Sequence, residues 1–406
     1  MKFMVSILLG LNLLVQGTVL PASSCFIPNV TIPLSPAAQT DTAPAADLNI
    51  SAPSAILMEA STGAVVYEKN SHEARHPASV TKIMTLLLIF DALSSKQISL
   101  DDTVTVSEYA ASMGGSQVFL EPGETQTVET MIKCISVASA NDACVAMAEH
   151  VAGSESEFVR MMNERAKGLG MNDTNFVNCC GLDADGHMTS ANDIALMSRE
   201  LITKYPKIHD YCTIWMENIT HTTAKGSSEF GLTNTNKLIK HYQYATGLKT
   251  GFTNTAMYCI SATAKKDDME LIAVIMKAPT STQRFEDATN LLNYGFSTYT
   301  LENVVPESAL PPVPVSLGTQ ATVQPVLGEN THLLLEKAKA GSLQQLVTLA
   351  DSVEAPVAAG SQLGTLTITS GEEVVAELPI LAGEEIPRVT FGQMLVQMLR
   401  TAFLCG

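Results

Sequence analysis

Ser79 and Lys82 are the first residues in this sequence whose types and spacing could carry out a reaction. They lie three positions apart in Ser79-Val80-Thr81-Lys82, where an apolar run begins. A helix starting here would project both side chains from one face. A serine hydroxyl becomes a good nucleophile when a neighbouring neutral lysine removes its proton. The pattern is also common by chance, so a helix-capping serine followed by a solvated lysine is the alternative.

Two later motifs favour the catalytic interpretation. Ser139-Ala140-Asn141 joins two helical stretches and offers a hydroxyl for proton relay and an amide for a substrate amide. Lys249-Thr250-Gly251 precedes an apolar strand and allows close approach of a substrate carboxylate and backbone. Ser-x-x-Lys, Ser-x-Asn and Lys-Thr-Gly together are typical of β-lactamases and penicillin-binding proteins. The three motifs in this order are therefore specific for serine acyl transfer.

Over most of its length the sequence also resembles a known family, the D-alanyl-D-alanine carboxypeptidases among the low-molecular-mass penicillin-binding proteins. The segments that carry the likeness are His76 to Thr85, Gly114 to Gln117, Glu121 to Glu124, Gly181 to Asp183, Gly186-His187 and Thr189 to Ala191. The resemblance implies an α/β fold. We expect a β-lactamase/transpeptidase-like domain, with a mixed sheet and helices on both sides, followed by a small all-β domain.

The resemblance implies a carboxypeptidase that removes the terminal D-alanine from peptidoglycan stem peptides ending in D-Ala-D-Ala. Ser79 would form the acyl-enzyme with Lys82 as base, while Ser139 and Lys249 pass the proton to the leaving amine. The same serine would be acylated by β-lactam antibiotics. No cofactor and no metal is implied.

Several residues would bind the substrate. The resemblance assigns this role to Asn141, Lys249, Thr250, Gly251, Phe252 and Arg284. Backbone N–H groups of Ser79 and Phe252 would face the oxyanion. Phe252 replaces a residue that is often histidine in the family, and Arg284 is equally compatible with a surface ion pair.

Two other functions share these features. A serine β-lactamase has the same motifs but needs a glutamate that activates water, and no segment between Asn141 and Lys249 stands out for that role. An inactive cell-wall scaffolding protein would keep the fold without the chemistry, but all three motifs are intact. Fluorescent penicillin would separate the three, because it labels a carboxypeptidase persistently, turns over on a β-lactamase and leaves a scaffold unlabelled.

Two competing motifs are weaker. His72-Glu73-Ala74-Arg75-His76 matches a zinc signature that requires one continuous helical turn, but Pro77 follows at once. His187 and Asp183 could complete a triad with Ser79, but no nucleophile-elbow glycines surround that serine. We therefore expect a loop at 72–76 and a structural histidine at 187.

The composition is that of a globular, acidic protein. Of 406 residues, 46% are hydrophobic and 16% are charged, and 24 basic against 41 acidic residues give a formal net charge of −17. This charge disfavours contact with phosphate backbones, so we do not expect a nucleic acid as a partner.

The hydrophobic periodicity predicts the elements that position the motifs. Short strands at 55–58 and 64–67 flank a turn, and a buried helix follows from Val80 to Leu93. Further helices are predicted at 128–138, 142–152, 155–169 and 191–203, and further strands at 256–264 and 269–277. The catalytic domain is assigned to 51–302, and an aromatic-free β domain to 303–386.

The two ends of the chain predict export and membrane contact. Residues 1–24 are typical of a signal peptide, followed by a linker at 25–50. Residues 387–406 predict an amphipathic helix that lies in the membrane interface, although packing on the β domain is the alternative. These features place the protein on the extracytoplasmic face of a bacterial membrane. The eight scattered cysteines are predicted to be mostly buried free thiols.

Overall fold

The structure is a computed structural model that describes residues 48–404, apart from 224–225, 307 and 329–330. The predicted signal peptide, 1–24, and the linker up to residue 47 lie outside the described residues. A 3₁₀ turn, Ala78–Thr81, leads into the first helix. The helices are α1 (Lys82–Ser94), α2 (Glu108–Ala111), α3 (Val128–Val137), α4 (Asn141–Ala152), α5 (Glu155–Gly168), α6 (Ala191–Lys204), α7 (Ile208–Cys212), α8 (Leu238–His241), α9 (Ser281–Thr298), α10 (Lys337–Ala340) and α11 (Phe391–Leu404).

The strands form two groups along the chain. Those up to residue 278 belong to the region that contains the three motifs, and those from residue 299 onward follow it. The strands are β1 (Ser54–Glu59), β2 (Val65–Lys69), β3 (Thr103–Thr105), β4 (Thr125–Thr127), β5 (Met216–Thr223), β6 (Gly226–Thr233), β7 (Ala245–Thr253), β8 (Met257–Lys266), β9 (Met269–Ala278), β10 (Tyr299–Asn303), β11 (Val313–Ser316), β12 (Thr322–Val323), β13 (Pro325–Leu327), β14 (His332–Glu336), β15 (Leu343–Leu349), β16 (Val353–Glu354), β17 (Gln362–Ser370) and β18 (Glu373–Ala382). The helices and strands predicted from periodicity are all present, and no end differs from its predicted position by more than two residues.

A five-stranded sheet in the order β2-β1-β9-β8-β7 forms the centre of the catalytic region. Its four strand pairs are all antiparallel, so the sheet that we expected to be mixed is antiparallel throughout. Short turns join β1 to β2, β7 to β8 and β8 to β9, which accounts for three of the four pairs, because a parallel pair needs a long crossover.

Helices cover both faces of this sheet, as predicted. Along β9, Leu271, Ala273 and Ile275 belong to one hydrophobic core, whereas the intervening Ile272, Val274 and Met276 belong to the other. The first core is closed by α9, and the second by the helical layer that contains α1 and α6. A strand buried on both faces explains why β9 is continuously apolar in the sequence.

Helix α1 lies inside the helical layer, which accounts for its composition. Ten of its thirteen residues are buried, including Lys82, Met84 and Phe90. A helix surrounded by protein is apolar on all sides rather than on one stripe. Lys82 is therefore the first residue of a helix that is held on all sides by its neighbours.

The C-terminal region is built from short strands and two small cores. A four-stranded sheet, β13-β18-β17-β15, lies beside a three-stranded sheet in the order β12-β11-β16. Leu366, Ile368 and Ile380 are fully buried in one core, and Val323 and Ile386 in the other. Aliphatic residues alone thus supply its hydrophobic centre.

We predict that Gly181→Ala destabilises the fold more than Gly153→Ala. Both glycines have left-handed backbones, with φ of +88° and +81°. A Cβ at Gly181 would lie 1.9 Å from the carbonyl oxygen of Ala78, whereas nothing lies within 4 Å of a Cβ at Gly153. Urea denaturation should show a loss of about 1–2 kcal/mol for Gly153→Ala, from its backbone alone, and a larger loss for Gly181→Ala. Equal losses would contradict the close packing at Ala78.

Candidate active site

The Ser79 hydroxyl and the Lys82 amine are in direct contact. Ser79 lies in the 3₁₀ turn, and Lys82 is the first residue of α1. The Lys82 Nζ donates a hydrogen bond to Ser79 Oγ at 3.0 Å. Lys82 is fully buried, and the turn has no side-chain capping hydrogen bond. The alternative of a capping serine and a solvated lysine is therefore wrong.

Two further oxygens hold the Lys82 amine. Its Nζ lies 2.6 Å from Asn141 Oδ1 and 2.6 Å from the backbone oxygen of Cys180. Together with Ser79 Oγ, these acceptors match the three N–H groups of an ammonium ion. All three partners are uncharged. An unprotonated amine in the same place could instead accept the proton of Ser79, which is the geometry that a general base requires.

Asn141, predicted to bind a substrate amide, also connects Lys82 to the loop at 114–120. Its Nδ2 donates to the Gly114 oxygen at 2.7 Å, and its backbone N–H donates to the Ser116 oxygen at 2.7 Å. A Cβ at Gly115 would lie 2.8 Å from this Nδ2, so the loop needs a glycine there. Asn141 therefore positions the base as well as facing the site.

Asp142 was missed by sequence reasoning, although it supports the same loop. Its buried carboxylate accepts hydrogen bonds from the backbone N–H groups of Val118 and Leu120. Sequence offers one signal: Asp142 comes directly before the apolar run Ala143 to Ala148, and a carboxylate that is buried with such a run must have a partner. The Cys180 carbonyl has no such signal, because any residue type supplies a backbone oxygen.

Ser139, the predicted proton relay, has an unpartnered hydroxyl. The residue is 3% exposed, and its Oγ is a buried polar atom without a hydrogen-bond partner within the described chain. Its backbone has φ of +61° between α3 and α4. Buried hydroxyl groups normally have a partner, so this one is available to a substrate or to water.

The Lys249-Thr250-Gly251 motif lies on β7, next to the turn that carries Ser79. A Cβ at Gly251 would lie 2.9 Å from the Pro77 oxygen and 3.0 Å from the Ser79 nitrogen. Glycine is therefore required for the strand to pass this close to the nucleophile. Thr250 is buried, and its Oγ1 donates to Thr235 Oγ1 at 2.7 Å.

Lys249 is the second buried lysine of the site. It is 1% exposed, and its Nζ donates to the Thr250 backbone oxygen at 3.1 Å. Burial, with a smaller contribution from the charge of Lys82, lowers the pKa of Lys249 to about 7. The amine therefore changes charge near neutral pH, so it can bind an anion as a cation or take part in proton transfer.

Phe252 lies on β7 directly after the motif, and Arg284 lies on α9. Phe252 is 50% exposed and packs on Tyr258, with ring centroids 4.5 Å apart. Arg284 is buried, so the alternative of a surface ion pair is wrong. Its Nη1 donates to the backbone oxygens of Gly251 and Cys259 at 3.2 and 3.3 Å. Burial lowers the pKa of this guanidinium to about 10. Arg284 thus joins α9 to the backbones of β7 and β8.

The competing motifs do not form sites. Residues 72–76 are not helical, and His72 Nδ1 lies 3.0 Å from a carboxylate oxygen of Asp173. His187 accepts the Val177 N–H at Nδ1 and bonds Thr81 Oγ1 through Nε2, so it is the structural histidine predicted above. Burial lowers the pKa of His187 to about 4. The six described cysteines are free and buried, as expected.

Family models match two parts of this chain. The family model described as D-alanyl-D-alanine carboxypeptidase matches residues 38–280, and the penicillin-binding protein 5 C-terminal domain matches residues 301–388. The chain is 43% identical to the D-alanyl-D-alanine carboxypeptidase DacF of Bacillus subtilis over 342 residues, which cover 84% of this chain and 87% of that protein. It is 33% identical to DacC of Escherichia coli over 359 residues, 85% of this chain and 88% of that protein.

Solved structures show the same fold. Penicillin-binding protein 5 from Haemophilus influenzae superposes with a TM-score of 0.74 at 27% identity, over 84% of this chain and 98% of that one. PBP3 from Streptococcus pneumoniae superposes with a TM-score of 0.66 at 29% identity, over 83% and 99% of the two chains. The chain belongs to the D-alanyl-D-alanine carboxypeptidase family of penicillin-binding serine peptidases. The predicted fold class and enzyme class are confirmed, and a β-lactamase or inactive scaffold is not favoured.

The pKa of Lys249 predicts a pH-dependent preference for free carboxylates. Below pH 7 the amine is a cation, and above pH 7 it is increasingly neutral. If it binds the substrate's terminal carboxylate, kcat/KM for a free-acid peptide, divided by kcat/KM for the amidated peptide, should fall as pH rises through about 7. The ratio cancels groups that act on both substrates. Lys249→Ala should make it independent of pH; an unchanged ratio in the native enzyme would assign Lys249 to proton transfer instead.

Proposed function

We propose that this chain hydrolyses the bond between the two D-alanines of peptidoglycan stem peptides through an acyl-enzyme on Ser79. The observation that carries the proposal is the 3.0 Å contact between Ser79 Oγ and Lys82 Nζ. It joins a half-buried hydroxyl to a fully buried amine. The family membership of the chain supports the same substrate and the same chemistry.

In the first step, neutral Lys82 takes the proton of Ser79 while Oγ forms a bond to the substrate carbonyl carbon. The negative charge that develops on the carbonyl oxygen would be met by the backbone N–H groups of Ser79 and Phe252. Because Gly251 lets β7 pass beside the Ser79 nitrogen, the N–H groups of Ser79 and Phe252 could both donate to the same carbonyl oxygen.

In the second step, the carbon–nitrogen bond breaks and the departing D-alanine amine takes up a proton. Ser139 is suited to deliver it, because its buried hydroxyl has no other partner among the described residues. Lys249 and Thr250 would hold the terminal carboxylate. Water then attacks the ester on Ser79 and releases the shortened peptide.

β-Lactam antibiotics would enter the same reaction. Their strained amide is attacked by Ser79 in place of the peptide, but the leaving nitrogen stays tethered to the acyl group. The product should therefore label Ser79 for minutes or longer. Penicillin-binding proteins among the solved structures similar to this chain support this inference.

Ser79→Ala tests the nucleophile. We expect D-alanine release and labelling by fluorescent penicillin to fall to background, while the melting temperature changes little. The reason is that the substitution removes one hydrogen bond, from Lys82, worth about 1 kcal/mol. Residual labelling at the native level would refute the assignment.

Lys82→Arg tests the base separately from the charge. A guanidinium retains its proton, so acylation should fall by about 100-fold or more even though the positive charge is kept. The control is Lys133→Arg, which changes a partly exposed lysine paired with Glu217. Acylation of Lys82→Arg at the rate of this control would limit Lys82 to an electrostatic role.

We also infer that the protein is exported and held at the extracytoplasmic membrane surface by its C-terminal helix. Its Phe391, Leu395, Val396 and Met398 are exposed, at 82%, 48%, 49% and 65%. Apolar side chains left exposed on an amphipathic helix favour an interface with lipid. None of the described helices meets the length and hydropathy needed to span a bilayer. The N-terminal residues 1–24 supply the export signal in this proposal.

A chain ending at Val389 tests this anchor. We expect it to release D-alanine normally from a small peptide but to stay in solution when liposomes are sedimented. The Val389 N–H, which donates to the Leu317 oxygen, is retained, so the β region is undisturbed. Phe391→Glu in the full chain should weaken sedimentation, and salt should release the native protein poorly because binding rests on apolar area. Sedimentation of the shortened chain would place the anchor elsewhere.

A further inference from the structure

A cluster of two thiols and a carboxylate lies beside the Lys82 site and has no role in the reaction described above. Its members are Glu155, at the start of α5, and the adjacent Cys179 and Cys180. One potential ligand atom from each lies within 4.8 Å of the other two, and within the described ranges no other three Cys, His, Asp or Glu side chains meet this condition. Both thiols are free and buried.

The surrounding hydrogen bonds hold this cluster in place. The Cys179 N–H donates to Glu155 Oε1 at 3.0 Å, and the Tyr109 hydroxyl donates to Oε2 at 2.6 Å. Asn178 Oδ1 accepts the Gly181 N–H at 2.7 Å and so fixes the turn after the cysteines. Each carboxylate oxygen keeps a lone pair for a further contact. Tyr109 is 50% exposed, so the carboxylate end of the cluster is the side nearer to solvent.

Two sulfur atoms and one carboxylate suit a thiophilic cation. Zinc binds thiolate at about 2.3 Å and carboxylate at about 2.0–2.2 Å, in tetrahedral geometry. These lengths place the ligand atoms about 3.5–3.8 Å apart, which lies inside the observed limit of 4.8 Å. Calcium and magnesium prefer oxygen ligands and do not match this set. Three protein ligands leave a fourth position for water.

We propose that Glu155, Cys179 and Cys180 bind a thiophilic divalent cation of the zinc and cadmium class, and that this binding slows acylation of Ser79. Each thiol that becomes a ligand loses its proton to solvent. Two protons leave and a doubly charged cation enters, so the net charge of the cluster is unchanged. The effect on the active site is therefore one of geometry rather than of charge.

The backbone of the two cysteines transmits that change. The Cys180 oxygen accepts the hydrogen bond of Lys82 Nζ at 2.6 Å, and the Cys179 oxygen accepts the hydroxyl of Thr85 on α1. Drawing both sulfur atoms toward one ion tilts the peptide units that carry these oxygens. A displacement of about 1 Å in a reacting group can cost about 100-fold in rate, so a smaller shift of Lys82 should slow acylation by about tenfold.

The full chain, stripped of metal, is titrated with Cd²⁺ and then with Zn²⁺. We expect one ion to bind per chain, with release of protons and an ultraviolet charge-transfer band from cadmium thiolate. Fluorescent penicillin should acylate the loaded enzyme about tenfold more slowly, and EDTA should restore the rate. EDTA should leave the metal-free enzyme unchanged, because the reaction itself uses no metal. No band in the native chain would overturn the site.

Three variants separate this cluster from other thiols. Cys179→Ala should abolish the band, Glu155→Gln should weaken binding by about tenfold or more, and the control Cys134→Ala should behave as the native chain. Cys134 is a buried cysteine on α3, outside the cluster. A band that persists in Cys179→Ala, or that disappears in Cys134→Ala, would place the ion elsewhere.

The effect on acylation is read as a ratio of rates with and without Cd²⁺ for each variant, so differences in the starting rate cancel. This ratio should be close to one in Cys179→Ala. If the native chain binds cadmium and its acylation rate does not change, the coupling to Lys82 is refuted. Labelling of the metal-free native chain tests the proposed nucleophile independently.

Discussion

The structure of this site depends on one constraint, the burial of the Lys82 amine. Removing a charged group from water is costly unless every proton has an acceptor. The three acceptors come from separate parts of the chain: Ser79 from the turn, Asn141 from the start of α4, and the Cys180 carbonyl from the segment before α6. These segments must therefore meet at one point, and the motifs are spread over the sequence because no single segment can surround the amine.

The glycines near the site follow from the same constraint. Gly251 lets β7 approach the nitrogen of Ser79, and Gly181 lets the segment that carries Cys180 touch the Ala78 carbonyl. Gly115 makes room for the Asn141 amide. A side chain at any of these positions would separate elements that the lysine needs together. The geometry of the site thus depends on these three glycines as much as on the reactive side chains.

Lys82 and Lys249 are both buried in this site, and the charge of Lys82 affects the pKa of Lys249. The charge of Lys82 adds to burial in lowering the pKa of Lys249 to about 7. In the proposed scheme the two amines have different roles: Lys82 is the base for Ser79, and Lys249 holds the terminal carboxylate of the substrate. The Ser139 hydroxyl has no partner among the described residues, and in the proposed scheme it bonds substrate atoms.

Much of this protein could be predicted from its sequence. The motifs at Ser79, Ser139 and Lys249 predicted the chemistry and the family. The hydrophobic periodicity predicted most helices and strands, because residue type and period are local properties. The strand directions, the contact of Lys82 with the Cys180 carbonyl, the loop support from Asp142 and the burial of Arg284 could not be read in the same way. They depend on which distant segments come into contact. Residue type does not show which backbone carbonyl will accept a hydrogen bond or which side chain will be buried. The cysteine pair shows the difference most clearly: its members are visible in the sequence, but only the tertiary structure places Glu155 beside them.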